Sequence, residues 1–386
     1  MKSAANPAVI DWALKRAGKT PEDLKNTVSK RVQEWIDGKG KAPTIKQLEK
    51  LAKATHVLVP CFFQDEPPQL PLQISDFRTF DSRSPAEPSP ELYDVINLML
   101  SRQDWLDDYL EDVGSETLDF VGSCKGKSVG DSVSMMRQLL DMEHGWARGM
   151  QEDAAVRFLR ETIEHRGVCV CAGSYVGNST NRPLKVSEFR GFVLSDRRAP
   201  VIFINTSDAY SAQLFTLAHE FAHLLFDDTG VDDVALAFSA GDRESDCDAV
   251  AAEFLVPAAM VHDAFDSMDD DSALEEIKKL TKVSEVVCLR RARDLGRIDR
   301  DEFNKRYEDY SNRLRDALAR NKRKTRAPGD GPRFYTLQKN HLGALFPKAI
   351  YTALQSEYLL YSDAYRLTGL SAKSFKGFFE REGMYV

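Results

Sequence analysis

The chain has 386 residues, of which 42% are hydrophobic and 29% charged, so it can form two or three globular domains and is not a wholly disordered protein. The net charge is −8, yet residues 1–56 hold 12 Lys and Arg against 6 Asp and Glu. Any nucleic-acid contact is therefore expected in this basic head. Because no long apolar run and no signal-peptide core occurs, we expect a soluble, cytoplasmic protein with no membrane partner.

The N-terminal part of the chain is predicted to form short helices. Residues 7–56 contain four segments, NPAVIDWALKRAG, TPEDLKNT, VSKRVQEWIDG and PTIKQLEKLAKATH, each with an apolar stripe and a polar or proline start. A proline-rich passage from Pro60 to Pro90 is typical of a linker. The pattern from Glu91 to about Arg166 is mostly helical.

Three short β-rich runs follow, GVCVCAG (167–173), LKVSEFRGFVL (184–194) and PVIFIN (200–205). Alternation along the first run puts Cys169 and Cys171 on one face, which we interpret as a buried pair of free thiols. A helix over about 209–226 comes next, and further helical patterns follow it. The basic stretch ARNKRKTRAPGDGP is typical of a flexible joint before a helical tail.

The most informative segment is LFTLAHEFAHLLF, an apolar helix that carries His219, Glu220 and His223. Positions i and i+4 share a helix face, so the two imidazoles can meet at one metal ion. Glu220 can reach a water on that metal as the general base of a His-Glu-x-x-His peptidase. The alternative is a chance spacing of two core histidines. The apolar context favours the metal site, because three polar groups buried there would each need a partner.

A catalytic zinc ion normally has three protein ligands, so one more must come from elsewhere in the chain. Glu244 and Asp248 are four residues apart on the next predicted helix, so one can bind metal while the other orients a ligand histidine. We predict Glu244 as the ligand and Asp248 as the orienting carboxylate. Asp246 and Glu253 fall off that face and are interpreted as surface charges. The remaining nearby carboxylates are Asp227, Asp228, Asp232, Asp233 and Asp242.

These motifs resemble the ImmA/IrrE family of zinc metallopeptidases. Its members read T-L-A-H-E-L-G-H-L-L and then E-x-[EQ]-A-[ND]-x-F-A-A-E-L-L-M-P, and TLAHEFAHLLF and ESDCDAVAAEFLVP follow that order within about residues 167–260. The resemblance implies that His219, His223 and Glu244 bind Zn²⁺ and that Glu220 is the catalytic base. The chain departs from the family pattern in having Ala for Gly, Cys for Ala and Val for Phe, which are small apolar changes that leave the ligands in place.

The resemblance also implies a substrate and a mechanism. An endopeptidase of this kind cleaves a regulatory protein, such as a repressor or a stress or mobile-element regulator encoded nearby, by Glu-assisted attack of zinc-bound water. The segment FRGFVL (189–194) is a candidate edge along which substrate adds as an extra strand. The alternative is a DNA-binding transcription regulator or antitoxin-like protein whose peptidase fold is structural.

Residues 7–68 resemble the XRE-type helix-turn-helix found at the N-terminus of longer members of this family. The resemblance rests on EWIDGKGKAPTIKQLEKLAKATHVLVPCFFQDEPP. It implies a third helix over about Ser29–Ile36 that presents Lys30, Arg31 and Gln33 to the DNA major groove. The segment before that helix is shorter than usual and lacks the glycine of the turn. A degenerate module that holds the peptidase or a partner is therefore the alternative.

The sequence thus predicts an α+β protein that is mostly helical, with a small β-sheet packed on the zinc-binding helix of a thermolysin-like (gluzincin) peptidase core. The predicted division is a helix-turn-helix-like domain at 1–72, a linker and helical segment at 73–150, a zinc metallopeptidase domain at 151–300 and a helical C-terminal extension at 301–386. We expect the aromatic residues of the extension to pack in a core.

Overall fold

The computed structural model describes residues 5–68, 88–227, 230–232, 242–321 and 334–385, with the side chains of all these except 230–232, 242–244 and 314–321. Sixteen α-helices lie in the described part: α1 (Pro7–Arg16), α2 (Val32–Ile36), α3 (Ile45–Thr55), α4 (Pro90–Asp112), α5 (Val129–Leu140), α6 (Glu152–Glu164), α7 (Tyr210–Phe226), α8 (Asp242–Leu255), α9 (Ala258–Ser267), α10 (Asp270–Thr281), α11 (Glu285–Asp294), α12 (Arg300–Asn321), α13 (Phe334–Leu342), α14 (Leu345–Gln355), α15 (Tyr361–Thr368) and α16 (Ala372–Arg381). The strands there are β1 (Cys169–Gly173), β2 (Gly191–Leu194), β3 (Val201–Asn205) and β4 (Gly230–Asp232), and a 3₁₀ helix spans Val59–Phe63. The prediction of a mostly helical α+β protein with a small sheet is confirmed.

The basic head forms a small unit with a core of its own, in which Trp35, Leu48 and Leu51 are buried. One helix prediction in the head is wrong, and another is confirmed only in part. The segment TPEDLKNT forms turns, and the third helix starts at α2 rather than at Ser29. The backbone of the TPEDLKNT segment closes i→i+3 turns instead of the i→i+4 bonds of an α-helix. The N–H groups of Asp23 and Leu24 donate to the carbonyl oxygens of Thr20 and Pro21, at 3.1 and 3.3 Å.

The sheet has the order β1-β3-β2-β4, with β1 and β3 parallel and the other two pairs antiparallel. The first and third strands confirm the predicted runs, and the second run, 184–194, forms a strand only over Gly191–Leu194. Strand β4 was not predicted from the sequence, since three residues are too few to show a strand pattern. Because β2 pairs with β3 on one side and β4 on the other, it offers no free edge along Gly191–Val193 to an added substrate strand.

Alternate residues of the strands enter two different cores. Val170, Val193 and Ile202 face the core built on α7, together with residues of α5, α6 and α8. Residues of the opposite parity, such as Cys171 and Phe203, face a second core made by α4 and the C-terminal helices α14 to α16. The sheet is therefore covered on both faces, and the C-terminal helices share their core with α4.

The cysteine prediction also holds. Cys169 and Cys171 are buried and free, with their sulfur atoms 3.9 Å apart. The predicted linker and joint lie largely outside the described residues, which omit 69–87 and 322–333. Within the described helices, none has the length and apolar character needed to cross a membrane.

Candidate metal centre

Helix α7 is buried around almost its whole circumference, as its apolar sequence indicates. The sheet lies on one side of it, while α6 and α8 pack on its other sides. His219, Glu220 and His223 are 1%, 0% and 5% exposed. Three titratable side chains are thus held in an apolar interior, where each needs a specific partner or ligand.

The two histidines converge as their spacing predicts. Their Nε2 atoms are 2.9 Å apart, and the ring centroids are 4.7 Å apart with the planes inclined by 72°. Two nitrogen ligands of a tetrahedral zinc ion, each about 2.0–2.1 Å from it, lie about 3.3 Å apart. The pair fits a shared metal ion after a separation of a few tenths of an ångström, so the donor atoms are of the right kind and nearly in place.

Asp248 lies on the outer side of His219, on the neighbouring helix α8. Its Oδ1 is 3.2 Å from His219 Nδ1, and its Oδ2 accepts a hydrogen bond of 3.2 Å from the guanidinium of Arg290 on α11. Burial raises the pKa of Asp248, but His219 and Arg290 outweigh it and hold the pKa below its ordinary value. An ionised Asp248 favours the proton on His219 Nδ1, which leaves the Nε2 lone pair directed at His223.

Glu220 lies against strand β2. A Cβ atom built on Gly191 would be 3.0 Å from Glu220 Oε1 and 2.6 Å from the methyl group of Thr216, one helical turn earlier. The carboxylate is therefore held between its own helix and the backbone of β2. Sequence reasoning found Glu220 but missed Gly191 and Thr216, because nothing local tells which strand residue meets the helix.

Glu244, the predicted third metal ligand, belongs to helix α8. Its side chain lies outside the described side chains, and among those described no group of three or more His, Cys, Asp and Glu is arranged to hold a metal ion. Helix periodicity still places Glu244 on the same face of α8 as Asp248, which faces His219.

The other carboxylates are partly accounted for. Asp227 accepts bonds from Lys125 at 2.7 Å and Ser195 at 2.9 Å, so its carboxylate is engaged away from the histidines. Asp246 is exposed, as predicted. Glu253, predicted to be a surface charge, is partly exposed, and its carboxylate accepts the backbone N–H of Ala258 at the start of α9 and pairs with Arg291. The structure leaves undescribed the side chains of Asp228, Asp232, Asp233 and Asp242.

The predicted DNA-reading residues lie at the surface of the head. Lys30, Arg31 and Gln33 are all exposed, at or beside the five-residue helix α2. Two of them contact acidic neighbours: Arg31 Nε is 3.4 Å from the Glu34 carboxylate, and Gln33 donates to Asp37 at 2.8 Å. The surface is thus accessible, but it is less basic than the three residues alone indicate.

Comparison with known proteins agrees with this site. Residues 180–293 match the family model Peptidase_M78, described as the IrrE N-terminal-like domain. Residues 342–381 match DUF8813, a domain of unknown function. No curated protein matches the chain. The matched region contains α7, α8 and all but the last residue of α11, and with them both histidines, Glu220, Asp248 and Arg290. The part of the chain that holds the candidate site is therefore similar to the IrrE N-terminal-like peptidase domain of the ImmA/IrrE family.

Proposed function

We propose that this protein is a zinc-dependent endopeptidase that cleaves a regulatory protein. The observation that carries the proposal is the convergence of His219 Nε2 and His223 Nε2, which are 2.9 Å apart on a buried helix. The residue that follows His219 is Glu220, which is also buried. Two imidazoles that face each other in an apolar interior are a poor structural device, because both rings and the adjacent carboxylate lose their hydration. The same arrangement is what a zinc peptidase requires.

Three side chains would hold the ion. His219 and His223 supply nitrogen atoms, and Glu244 supplies the carboxylate, since it precedes Asp248 by one turn on the helix face that meets His219. Asp248 orients His219 through Nδ1, and Arg290 fixes Asp248 in turn. This set of three ligands leaves a position open for substrate or water, as catalytic zinc sites do.

The chemistry supplied by a bound zinc ion is Lewis-acid polarisation of a carbonyl group and acidification of water. Glu220 takes one proton from the attacking water as the oxygen of that water forms a bond to the peptide carbonyl carbon. It then delivers that proton to the departing amine nitrogen as the C–N bond breaks, so that the carboxylate is regenerated. Burial of Glu220 between α7 and β2 keeps the carboxylate oriented through both transfers.

A regulatory protein as substrate is supported by the similarity of residues 180–293 to the IrrE N-terminal-like domain and by the basic head attached to it. A head that recognises a protein or DNA would bring the peptidase to a defined target. Candidate substrates are regulators encoded in neighbouring genes.

The direct test compares metal content and proteolysis in wild-type protein and in Glu220→Gln. We expect wild-type protein to bind about one zinc ion per chain and to cleave a neighbouring regulator or unfolded casein. The Gln variant should keep the metal and lose activity by about 10²–10⁴-fold, because general base catalysis typically contributes that factor. Glu161→Gln, an exposed change on α6, is the matched control. Wild-type protein that binds no zinc and cleaves nothing would leave the structural role of the fold as the better account.

DNA binding by the head is a second candidate. It is favoured by the exposure of Lys30, Arg31 and Gln33 within a segment of net charge +6. It does not compete with proteolysis, because the head has a core separate from that of the candidate metal centre. Its test is the salt dependence of duplex binding by the full chain.

A further inference from the structure

The residue of β2 that lies against Glu220 is a glycine, Gly191. Gly191 begins β2 and pairs with Ile204 of β3 on one side and Asp232 of β4 on the other. It is buried and faces α7, as Val193 does two residues later. A Cβ atom at this position would meet three neighbours at once: Thr216 Cγ2 at 2.6 Å, Glu220 Oε1 at 3.0 Å and the Phe203 carbonyl oxygen at 3.0 Å.

Close approach, rather than backbone conformation, explains this glycine. Its φ lies outside the positive range that disfavours other residues, so an alanine could adopt the same backbone. Glycine inside a strand has a cost in conformational entropy and packs no side chain, and it marks a place where another group must come close. Here the groups that come close are the proposed base and the threonine one turn before it.

We propose that Gly191 is a positioning residue for Glu220, setting how closely α7 lies on β2 and so where the carboxylate sits relative to the two histidines. This role rests on the proposed peptidase function. Thr216 is the second part of the device, since its methyl group makes the closest of the three approaches and lies on the same helix face as Glu220. A side chain at position 191 would have to displace the carboxylate, rotate the helix or lift it from the sheet.

The first experiment compares turnover in Gly191→Ala and Gly173→Ala, with zinc-loaded full-length protein and with labelled unfolded casein and neighbouring regulators as probes. Gly173 is a matched control because it is also a crowded strand glycine: its Cβ would be 3.1 Å from His341 Cδ2, on the opposite face of the sheet. We expect Gly191→Ala to lower kcat by about 10²-fold, the effect of misplacing a reacting group by about 1 Å, while KM and zinc content stay near wild type. Gly173→Ala should keep kcat within about twofold.

A rescue separates positioning from general damage. Thr216→Ser removes the methyl group that makes the 2.6 Å approach, so Gly191→Ala in the Thr216→Ser background should regain at least about tenfold of its lost kcat. A double variant as inactive as Gly191→Ala alone would count against the assigned cause. Equal loss of kcat in the Gly173 and Gly191 variants would overturn the proposal.

A second readout needs no activity. In metal-free protein, the loss of Tm caused by Gly191→Ala should be smaller in a Glu220→Ala background, because the crowded carboxylate is gone. The loss caused by Gly173→Ala should be the same in both backgrounds. If the losses of Tm caused by Gly191→Ala and Glu220→Ala are additive, the two residues are not in contact. The positioning role of Gly191 would then be overturned even if the wild-type protein is an active peptidase. Wild-type protein without zinc or proteolysis would instead overturn the proposed function and, with it, the catalytic role of Gly191.

Discussion

Asp248 Oδ1 lies 3.2 Å from His219 Nδ1, while Nε2 of the same imidazole faces His223. One ring therefore connects helix α8 to the candidate metal position on α7. Arg290 on α11 holds the far oxygen of Asp248, so three helices fix a single histidine. The orientation of the site thus depends on how these helices pack, and it can be tested without knowing the substrate.

Replacing the carboxylate of Asp248 should weaken metal binding without removing a ligand. We expect Asp248→Asn to lower the affinity for zinc by about 10–100-fold, because outer partners of ligand histidines typically contribute that factor. Competition with a chromogenic chelator measures it. Asp246→Asn is the control, since Asp246 is exposed on the same helix two residues earlier. Equal zinc affinity in the two variants would show that Asp248 does not support the metal site.

Acid should destabilise the protein through His341. Burial, with a smaller effect from the charges of Arg102 and Arg160, lowers the pKa of His341 to about 4, against 6.5 for an ordinary histidine. Between pH 6.5 and 4 the unfolded chain therefore binds a proton that the folded chain does not, and stability falls as pH falls. The expected loss is on the order of 3 kcal/mol.

Urea unfolding of His341→Phe against wild type isolates this contribution. The phenylalanine keeps a ring against Tyr175, whose ring meets His341 edge-on at 5.2 Å, and it cannot titrate. We expect the free energy of unfolding of the wild type to drop relative to the variant across that pH window. Glu164 is also buried nearby and its pKa is raised, mainly by burial, but it is present in both proteins and cancels in the difference. Parallel curves would show that His341 titrates normally.

The C-terminal extension should behave as part of the peptidase core rather than as a tail. Phe346 on α14 is fully buried, with its ring edge-on to Trp105 at 5.5 Å and beneath the Arg102 guanidinium at 5.4 Å. Phe346→Ala should cost about 3–5 kcal/mol in the free energy of unfolding, as large-to-small changes of core aromatics do. Phe334→Ala, at a position 42% exposed, should cost less than about 1 kcal/mol. Similarly small losses in the free energy of unfolding at both positions would show that the C-terminal extension is not part of the peptidase core.

Sequence reasoning succeeded where the relation between residues is local. The convergence of His219 and His223 follows from helix periodicity alone, and the same periodicity picked out Asp248. Arg290 could not be predicted, because α11 offers several cations and only its packing on α8 decides which one meets Asp248. Gly191 was missed for the same reason, since the approach of a strand to a helix is a tertiary property.

The last prediction concerns the basic head. If its exposed side chains contact phosphates, duplex affinity should fall steeply with salt, and Lys30→Ala should reduce the log–log salt slope by about 1. Glu34→Gln should strengthen binding, because the Glu34 carboxylate lies 3.4 Å from Arg31 Nε and competes with phosphate for it. Fluorescence anisotropy of the full chain on labelled duplex measures both, with Lys373→Ala, an exposed change in the C-terminal extension, as the control. Because the two head variants move affinity in opposite directions, general unfolding cannot imitate the result, and absence of binding at low salt would assign the head to protein contacts instead.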